Sequence, residues 1–295
     1  MVALTQKLLH SADGTKIYAE AAGDPSKPAL VFIHGLGLCT FAFDAQFEDP
    51  RLNQTLYLVR YDMRGHGQSG MPLEKAAYES ARHAEDFKVV CGAFGLVKPS
   101  VLAWSLGAAI TMGFKYVAGT VVVDVIEAYS ADYLGSIIYC GGALLTRALH
   151  NDYIHPHLSS LVPEILSMDA DVIAATAHKF VESIVEDVDN LFPHRDQVLW
   201  AGVYLSMLPT ARVHLVTRTQ NYGRWEKEIK GKQVLIIQGT HDRHARAEGL
   251  VETAKKWLGP FELKLLEGCG HSPVFERPKE VNGYIASFIQ KTVSV

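Results

Sequence analysis

Cysteine is scarce in this chain: Cys39, Cys91, Cys140 and Cys269 are the only four among 295 residues. They lie far apart with no C-x-x-C pair, which argues against a disulfide-built secreted scaffold or a cysteine zinc site and suits free thiols in a reducing compartment. Basic runs are equally short, none longer than a pair such as Lys255-Lys256, and the formal net charge is -4. That balance leaves no electrostatic footprint for nucleic acid or an anionic membrane. No apolar stretch reaches the roughly 18 to 20 residues of a membrane span. The start, MVALTQKLLHSADGTKIYAE, turns polar within ten residues and lacks the apolar core of a signal peptide. A soluble, cytoplasmic protein is the expectation. Internal repeats and low-complexity tracts are also missing.

Hydrophobic residues are plentiful at 48%, enough to bury a large core, and the length only modestly exceeds that of one domain. Apolar, β-branched runs recur at residues 29–35 (ALVFIHG), 55–62 (TLYLVRYD), 99–105 (PSVLAWS), 120–128 (TVVVDVIEA) and 232–242 (KQVLIIQGTHD). Near-continuous runs of this kind suit strands buried on both faces of a parallel sheet. Between them, Ala84, Phe87, Cys91 and Phe94 fall at helical intervals, and Val281, Tyr284, Ile285, Phe288 and Ile289 do the same near the end. The expected fold class is therefore α/β, a mostly parallel central sheet flanked by helices.

The alternation breaks after Ala128 and resumes near Lys232, and the segment between reads as helical. Ile173, Ala177, Phe180, Ile184 and Val188 trace one apolar stripe there, and Pro156, Pro163, Pro193 and Pro209 punctuate it. The expected organisation is a core formed by residues 1–128 and 223–295, with residues 129–222 inserted as a helical cap.

Ser105, in VLAWSLGAA, stands where a strand gives way to a helical pattern. Ala103 and Gly107 supply the small neighbours that a sharp strand-to-helix turn demands, which makes Ser105 either a nucleophile on an elbow or a helix-capping serine. A serine hydroxyl near neutral pH needs a base within reach and a third group to orient that base. His271, in the glycine-flanked loop of EGCGHSPVF after the last strand-like run, is the candidate base. Asp242, at the end of LIIQGTHD, is the candidate acid, with Asp124 and Glu127 as rivals. Attack on a carbonyl also needs donors for the oxyanion, and the backbone N–H groups of Leu106 and Leu36 are the candidates. His34 reads as a structural residue of the turn carrying Leu36.

With these residues in view the chain resembles the α/β-hydrolase superfamily over nearly its whole length. His34-Gly35-Leu36-Gly37 looks like the family's oxyanion loop, and YDMRGHGQSG (61–70) is similar to its Asp-x-Arg-Gly-x-Gly-x-Ser turn, where Arg64 and His66 serve structure. AWSLG, GTHD and GCGH then follow in the family's order of nucleophile, acid and base. The sequence departs from the pattern at Ala103, where the family usually carries glycine. The absence of aspartate from the elbow argues against the dehalogenase and epoxide-hydrolase branches.

The resemblance implies acyl transfer to water by Ser105, His271 and Asp242: a hydrolase of a small or medium, fairly apolar carboxylic ester, with a small-molecule substrate, no cofactor and no metal. His150, His155 and His157 with Asp152 read as a solvated loop rather than a metal site. Tyr129, Tyr133, Tyr139, Trp200 and Met207 are the candidates for an apolar substrate pocket. Simple esters, lactones and thioesters remain open as substrates. The same scaffold also admits a ligand receptor with slow or no turnover, or a hydroxynitrile lyase.

Overall fold

The computed structural model describes residues 3–105, 120–142 and 153–293. Eight strands form one sheet: β1 (Thr5–His10), β2 (Lys16–Ala22), β3 (Ala29–Ile33), β4 (Tyr57–Tyr61), β5 (Ser100–Trp104), β6 (Ile137–Cys140), β7 (Val234–Gly239) and β8 (Phe261–Leu266), in the spatial order β1-β2-β4-β3-β5-β6-β7-β8. β2 runs antiparallel to both its neighbours, and every pairing from β4 to β8 is parallel. The order turns around at β3, with β4 on one side and β5 on the other. In open α/β sheets the crevice beyond the carboxyl ends of the strands at such a reversal is where ligands collect.

The continuous apolar strands divide their side chains between two cores, as a strand's two-residue period requires. Val31, Ile33, Val101, Ala103, Ile137, Tyr139, Val234 and Ile236 face one core; Leu30, Phe32, Leu102, Trp104, Ile138, Cys140, Leu235 and Ile237 face the other. On the first side lie α1 (Ser80–Ala93) and α2 (Val121–Tyr129). The helices between β6 and β7 include α3 (Pro156–Ile165), α4 (Ala170–Ser183), α5 (His194–Ser206) and α6 (Pro209–Val216). α3, α4 and α5 pack into the second core with Trp104 and Phe43. After β7 come α7 (Ala247–Trp257), on the first face, and α8 (Pro278–Val293), on the second. Among the described residues no helix is long and apolar enough to cross a membrane.

Two elements differ from the sequence expectation. Residues 120–128 form α2, not a strand. Val121, Val122, Val123, Val125 and Ile126 are all buried, and a short β-branched run of this kind fits a buried strand as well as a helix. Its one buried carboxylate, Asp124, is paired with Arg218 at 2.8 Å. The strand expected there is instead β6, four residues long, inside the segment expected to be cap. Residues 137–140 thus belong with the sheet, and the first described helix after them is α3. The β1–β2 pair, unforeseen in the sequence, extends the sheet at one edge.

The turn after β4 is held by ions rather than by apolar packing. Arg64 sits bidentate on Asp86 of α1, with both N–O distances 2.7 Å, and its remaining nitrogen reaches Asp13 at 2.8 Å and the Ala77 carbonyl. Arg64 thereby has the structural role expected of it.

Candidate active site

Ser105 follows the last residue of β5 with φ at +54°, a left-handed conformation that is uncommon and strained for a residue with a side chain. The surroundings hold it there. Its N–H donates to the Cys140 carbonyl of β6 at 3.0 Å, continuing the sheet pairing past the end of β5. On the other side the chain at Gly35 runs so close that a Cβ there would stand 3.3 Å from the Ser105 Cβ. Glycine at 35 therefore leaves the hydroxyl its space.

The Ser105 Oγ lies 2.7 Å from Nε2 of His271, and Nδ1 of His271 lies 3.0 and 2.9 Å from the two carboxylate oxygens of Asp242. All three residues are buried. Asp242 also accepts from Nε2 of Gln238 at 2.7 Å and from the N–H groups of His244 and Ala245 at 2.7 and 2.9 Å. Burial alone would raise its pKa, but His271, helped by His244 and Gln238, outweighs burial and holds the carboxyl down at about 2. Asp242 is thus an acceptor only. The proton between the two side chains sits on Nδ1, which leaves the lone pair of Nε2 facing the serine hydroxyl.

The loop around His271 is clamped on both sides. Glu276 accepts from the N–H groups of Gly270 and Ser272 at 3.0 and 3.1 Å, and from Glu186 N–H at 3.0 Å. Trp104, one residue before Ser105, donates its indole N–H to the His271 carbonyl at 2.8 Å. At the end of β7, Gly239 lies so close that a Cβ would stand 2.2 Å from the carbonyls of Cys269 and Gly270. Only glycine lets the acid-bearing strand touch the base-bearing loop.

Leu36 follows Gly35 directly, and its N–H donates to no described residue. His34 braces this loop: its Nε2 accepts from Met63 N–H at 3.1 Å and its Nδ1 donates to the Gly35 carbonyl at 2.8 Å. Burial pushes its pKa down to about 4, so it is neutral at ordinary pH. Leu106, the other expected donor, lies outside the described residues, as do His150 and Asp152. His155 caps α3 by accepting from His157 N–H at 3.1 Å.

The rival acids are engaged elsewhere. Asp124 bonds to Arg218 and Gln220, and Glu127 accepts from the N–H groups of Arg224 and Trp225 at 2.7 and 2.8 Å. The five expected pocket residues do not gather in one place. Tyr129 stacks on Tyr133 at 5.0 Å. Their neighbours Asp132 and Gly135 contact Lys98 and Pro99, just before β5, so both tyrosines lie a strand's length from Ser105. Tyr139 is in the first core with its hydroxyl accepting from Trp225, and Met207 is in that core as well. Trp200 stands apart from these, 6.1 Å from Trp104 in a group of rings with Phe41, Phe192 and Phe275.

Sequence reasoning missed Gln238, His244 and Glu276. Nothing in the spacing of QGTHDRHA or GHSPVFE sets them apart, because each acts through a fold-dependent contact. The presence of a second histidine two positions after Asp242 was the one visible signal.

A buried serine with an oriented base and an ionised acid is equipped for nucleophilic chemistry. The chain belongs to the alpha/beta hydrolase family, whose model matches residues 30–283. Among solved structures it is similar to a protein described as an aryl esterase from Burkholderia cenocepacia, at 23% identity and TM-score 0.84, covering 99% of this chain and 100% of that one. It is also similar to the esterase RhEst1 from Rhodococcus sp. ECU1013, at 22% identity and TM-score 0.81, covering 97% and 98%. Among curated proteins, the mouse protein named Epoxide hydrolase 3 is 23% identical over 303 residues, covering 95% of this chain and 75% of that protein. A Mycobacterium tuberculosis protein named Probable oxidoreductase EphD is 35% identical over 102 residues, which is 34% of this chain and only 17% of that relative.

Proposed function

We propose that the chain is a serine hydrolase of carboxylic esters acting through an acyl-enzyme. The observation that carries this reading is the unbroken relay from Ser105 Oγ through the His271 imidazole to Asp242. In the reaction, Nε2 of His271 takes the Ser105 proton as Oγ attacks the ester carbonyl, and Asp242 steadies the imidazolium that forms. The Leu36 and Leu106 N–H groups receive the oxyanion, a contribution of roughly 100- to 1,000-fold in kcat per donor. His271 next protonates the departing alcohol, then activates the water that releases the acid. Every step is proton transfer and acyl transfer, and none calls for a metal or an organic cofactor.

Helices α3 to α6 serve in this reading as a cap whose residues select a small or medium apolar substrate, with Trp200, which packs on Trp104 beside the serine, the pocket candidate kept. The four cysteines, all buried and unpaired, suit a cytoplasmic setting. An epoxide hydrolase reading, suggested by one relative's name, is disfavoured because the elbow carries Ser105 rather than a carboxylate.

The test is a panel of chromogenic esters of increasing acyl length, with wild type beside Ser105→Ala. Turnover of at least one ester by wild type is expected, with a loss of about 10,000-fold or more in the variant. No turnover across the panel, or equal turnover by both proteins, would sink the proposal.

A further inference from the structure

Among the described residues, His244 is a second histidine whose ring packs against the relay, and the mechanism above does not use it. Its ring lies 4.2 Å from that of His271, with the planes 37° apart. On its far side is the Phe180 ring of α4, at 5.4 Å. Its Nε2 is 2.7 Å from Ser183 Oγ, at the end of α4, and that hydroxyl is 2.7 Å from the Phe180 carbonyl. The carbonyl can only accept, so the single Ser183 proton goes there, and Nε2 of His244 must donate to Oγ. The ring's tautomer and orientation are therefore set by α4, while its own backbone N–H sets Asp242.

We propose that His244 is a positioning residue for the reaction: a neutral imidazole, fixed by Ser183, that holds the plane of His271 and presents a π-face to the cation His271 becomes. This rests on the ester-hydrolase reading and extends it. The chemistry favours a neutral ring specifically. An aromatic face stabilises a nearby cation, whereas a second charged imidazole at the same distance would repel it. Among the described residues, His155 donates its N–H to the His244 carbonyl at 2.9 Å, and the ionisable or charged groups that act most on His244 are His271, Asp242, His157 and Arg243. Among them Asp242 alone favours its protonated form; burial and the other three push its pKa well below the ordinary histidine value. Its neighbour Arg243 donates to the Val185 carbonyl at 2.9 Å, and Glu276 accepts from Glu186 N–H, so residues 183–186 contact the acid loop and the base loop together. The end of α4 thus sets the position of the acid–base pair.

The test compares wild type with His244→Ala, His244→Phe and Ser183→Ala by two readings. One is the rate at which a fluorophosphonate labels Ser105, a step in which Oγ bonds to phosphorus, fluoride leaves and His271 takes the hydroxyl proton. The other is the split between kcat and KM on the best ester of the panel. His244→Ala is expected to lose about 10-fold or more in labelling rate and in kcat with KM nearly constant, as a displaced base predicts. Phenylalanine, which restores a neutral ring, should recover most of that loss, and Ser183→Ala should show a smaller loss of the same kind. Labelling by His244→Ala within twofold of wild type would overturn the proposal, as would a phenylalanine variant no better than alanine. If His244→Ala does not fold, an unchanged kcat in Ser183→Ala overturns it instead. Failure of the parent reading is distinguishable, because then wild type itself is neither labelled nor active on esters.

Discussion

Asp242 and Asp86 are both buried carboxylates facing a basic side chain, yet the two regions hold charge in different ways. Asp86 meets the permanent cation of Arg64 in a bidentate pair, and both side chains are almost completely shielded from water. Burial still dominates and raises the Asp86 carboxyl above its ordinary value despite the guanidinium. Asp242 is held at about 2, facing His271 and accepting from a side-chain amide and two backbone N–H groups. His271 is the main counterweight to burial at Asp242, with His244 and the Gln238 amide adding to it. The Arg64 pair fastens the turn at 61–70 to α1; in the proposed reaction the Asp242 carboxylate is instead a charge in reserve for the imidazolium that His271 becomes.

The largest expected effect comes from breaking the reserve. Asp242→Asn keeps the size of the side chain and retains an oxygen for the N–H groups of His244 and Ala245. Its amide, however, points hydrogens toward His271, which must then accept at Nδ1 and carry its proton on Nε2. That tautomer cannot take the Ser105 proton, so kcat on an active ester is expected to fall by about 10,000-fold. Thermal unfolding should shift by far less than that loss implies. A variant retaining most of its rate would show that the acid lies elsewhere.

Arg64→Met should behave in the opposite way. It leaves Asp86 buried without its cation, and breaking a buried pair from one side costs about 3 to 5 kcal/mol. Urea unfolding of this variant should show that loss, while the folded fraction retains turnover far closer to wild type than Asp242→Asn does. Stability unchanged by the substitution would mean that Asp86 adapts by keeping a proton.

How much of this was legible in the sequence follows the same division. Ser105, Asp242 and His271 could be singled out because each follows a strand-like run, Ser105 directly after β5, Asp242 three residues past β7 and His271 five past β8. The sheet was readable from β3, β4, β5 and β7 for the same reason. α2 was not, because its nine residues begin with a β-branched run that reads equally as a buried strand, and β6 was hidden by being only four residues long. The pairing of Arg64 with Asp86, 22 residues apart, and the contact of His244 with His271 depend on how loops meet, which local pattern does not encode. The five pocket candidates are not gathered in one place for a related reason: a bulky apolar side chain signals burial, not at which end of a strand it falls.

A third, smaller effect separates the two regions by pH. His34, beneath the Leu36 loop, titrates at about 4 in the folded chain against an ordinary value of 6.5, because burial disfavours its charged form. Between those two values the unfolded chain binds the proton and the folded chain does not, so stability falls as pH falls from 6.5 to 4, by about 3 kcal/mol for this one group. His66 and His83, shifted down by burial as well, act in the same direction. Asp242 and Asp13, both held at about 2, add their loss only below pH 4, where their unfolded forms take up protons first. Acid unfolding should therefore show the histidine loss first and the loss from Asp242 and Asp13 after, with Asp86, Asp62 and Asp124, raised by burial, opposing the first stage because they bind protons before their unfolded forms do. Urea midpoints at pH 7, 5.5, 4 and 3 measure both, and His34→Gln should flatten the upper stage while leaving the lower one. A wild-type midpoint constant from pH 7 to 4 would mean that these buried imidazoles accept protons in place, and the brace beneath the Leu36 loop would then be a charged one.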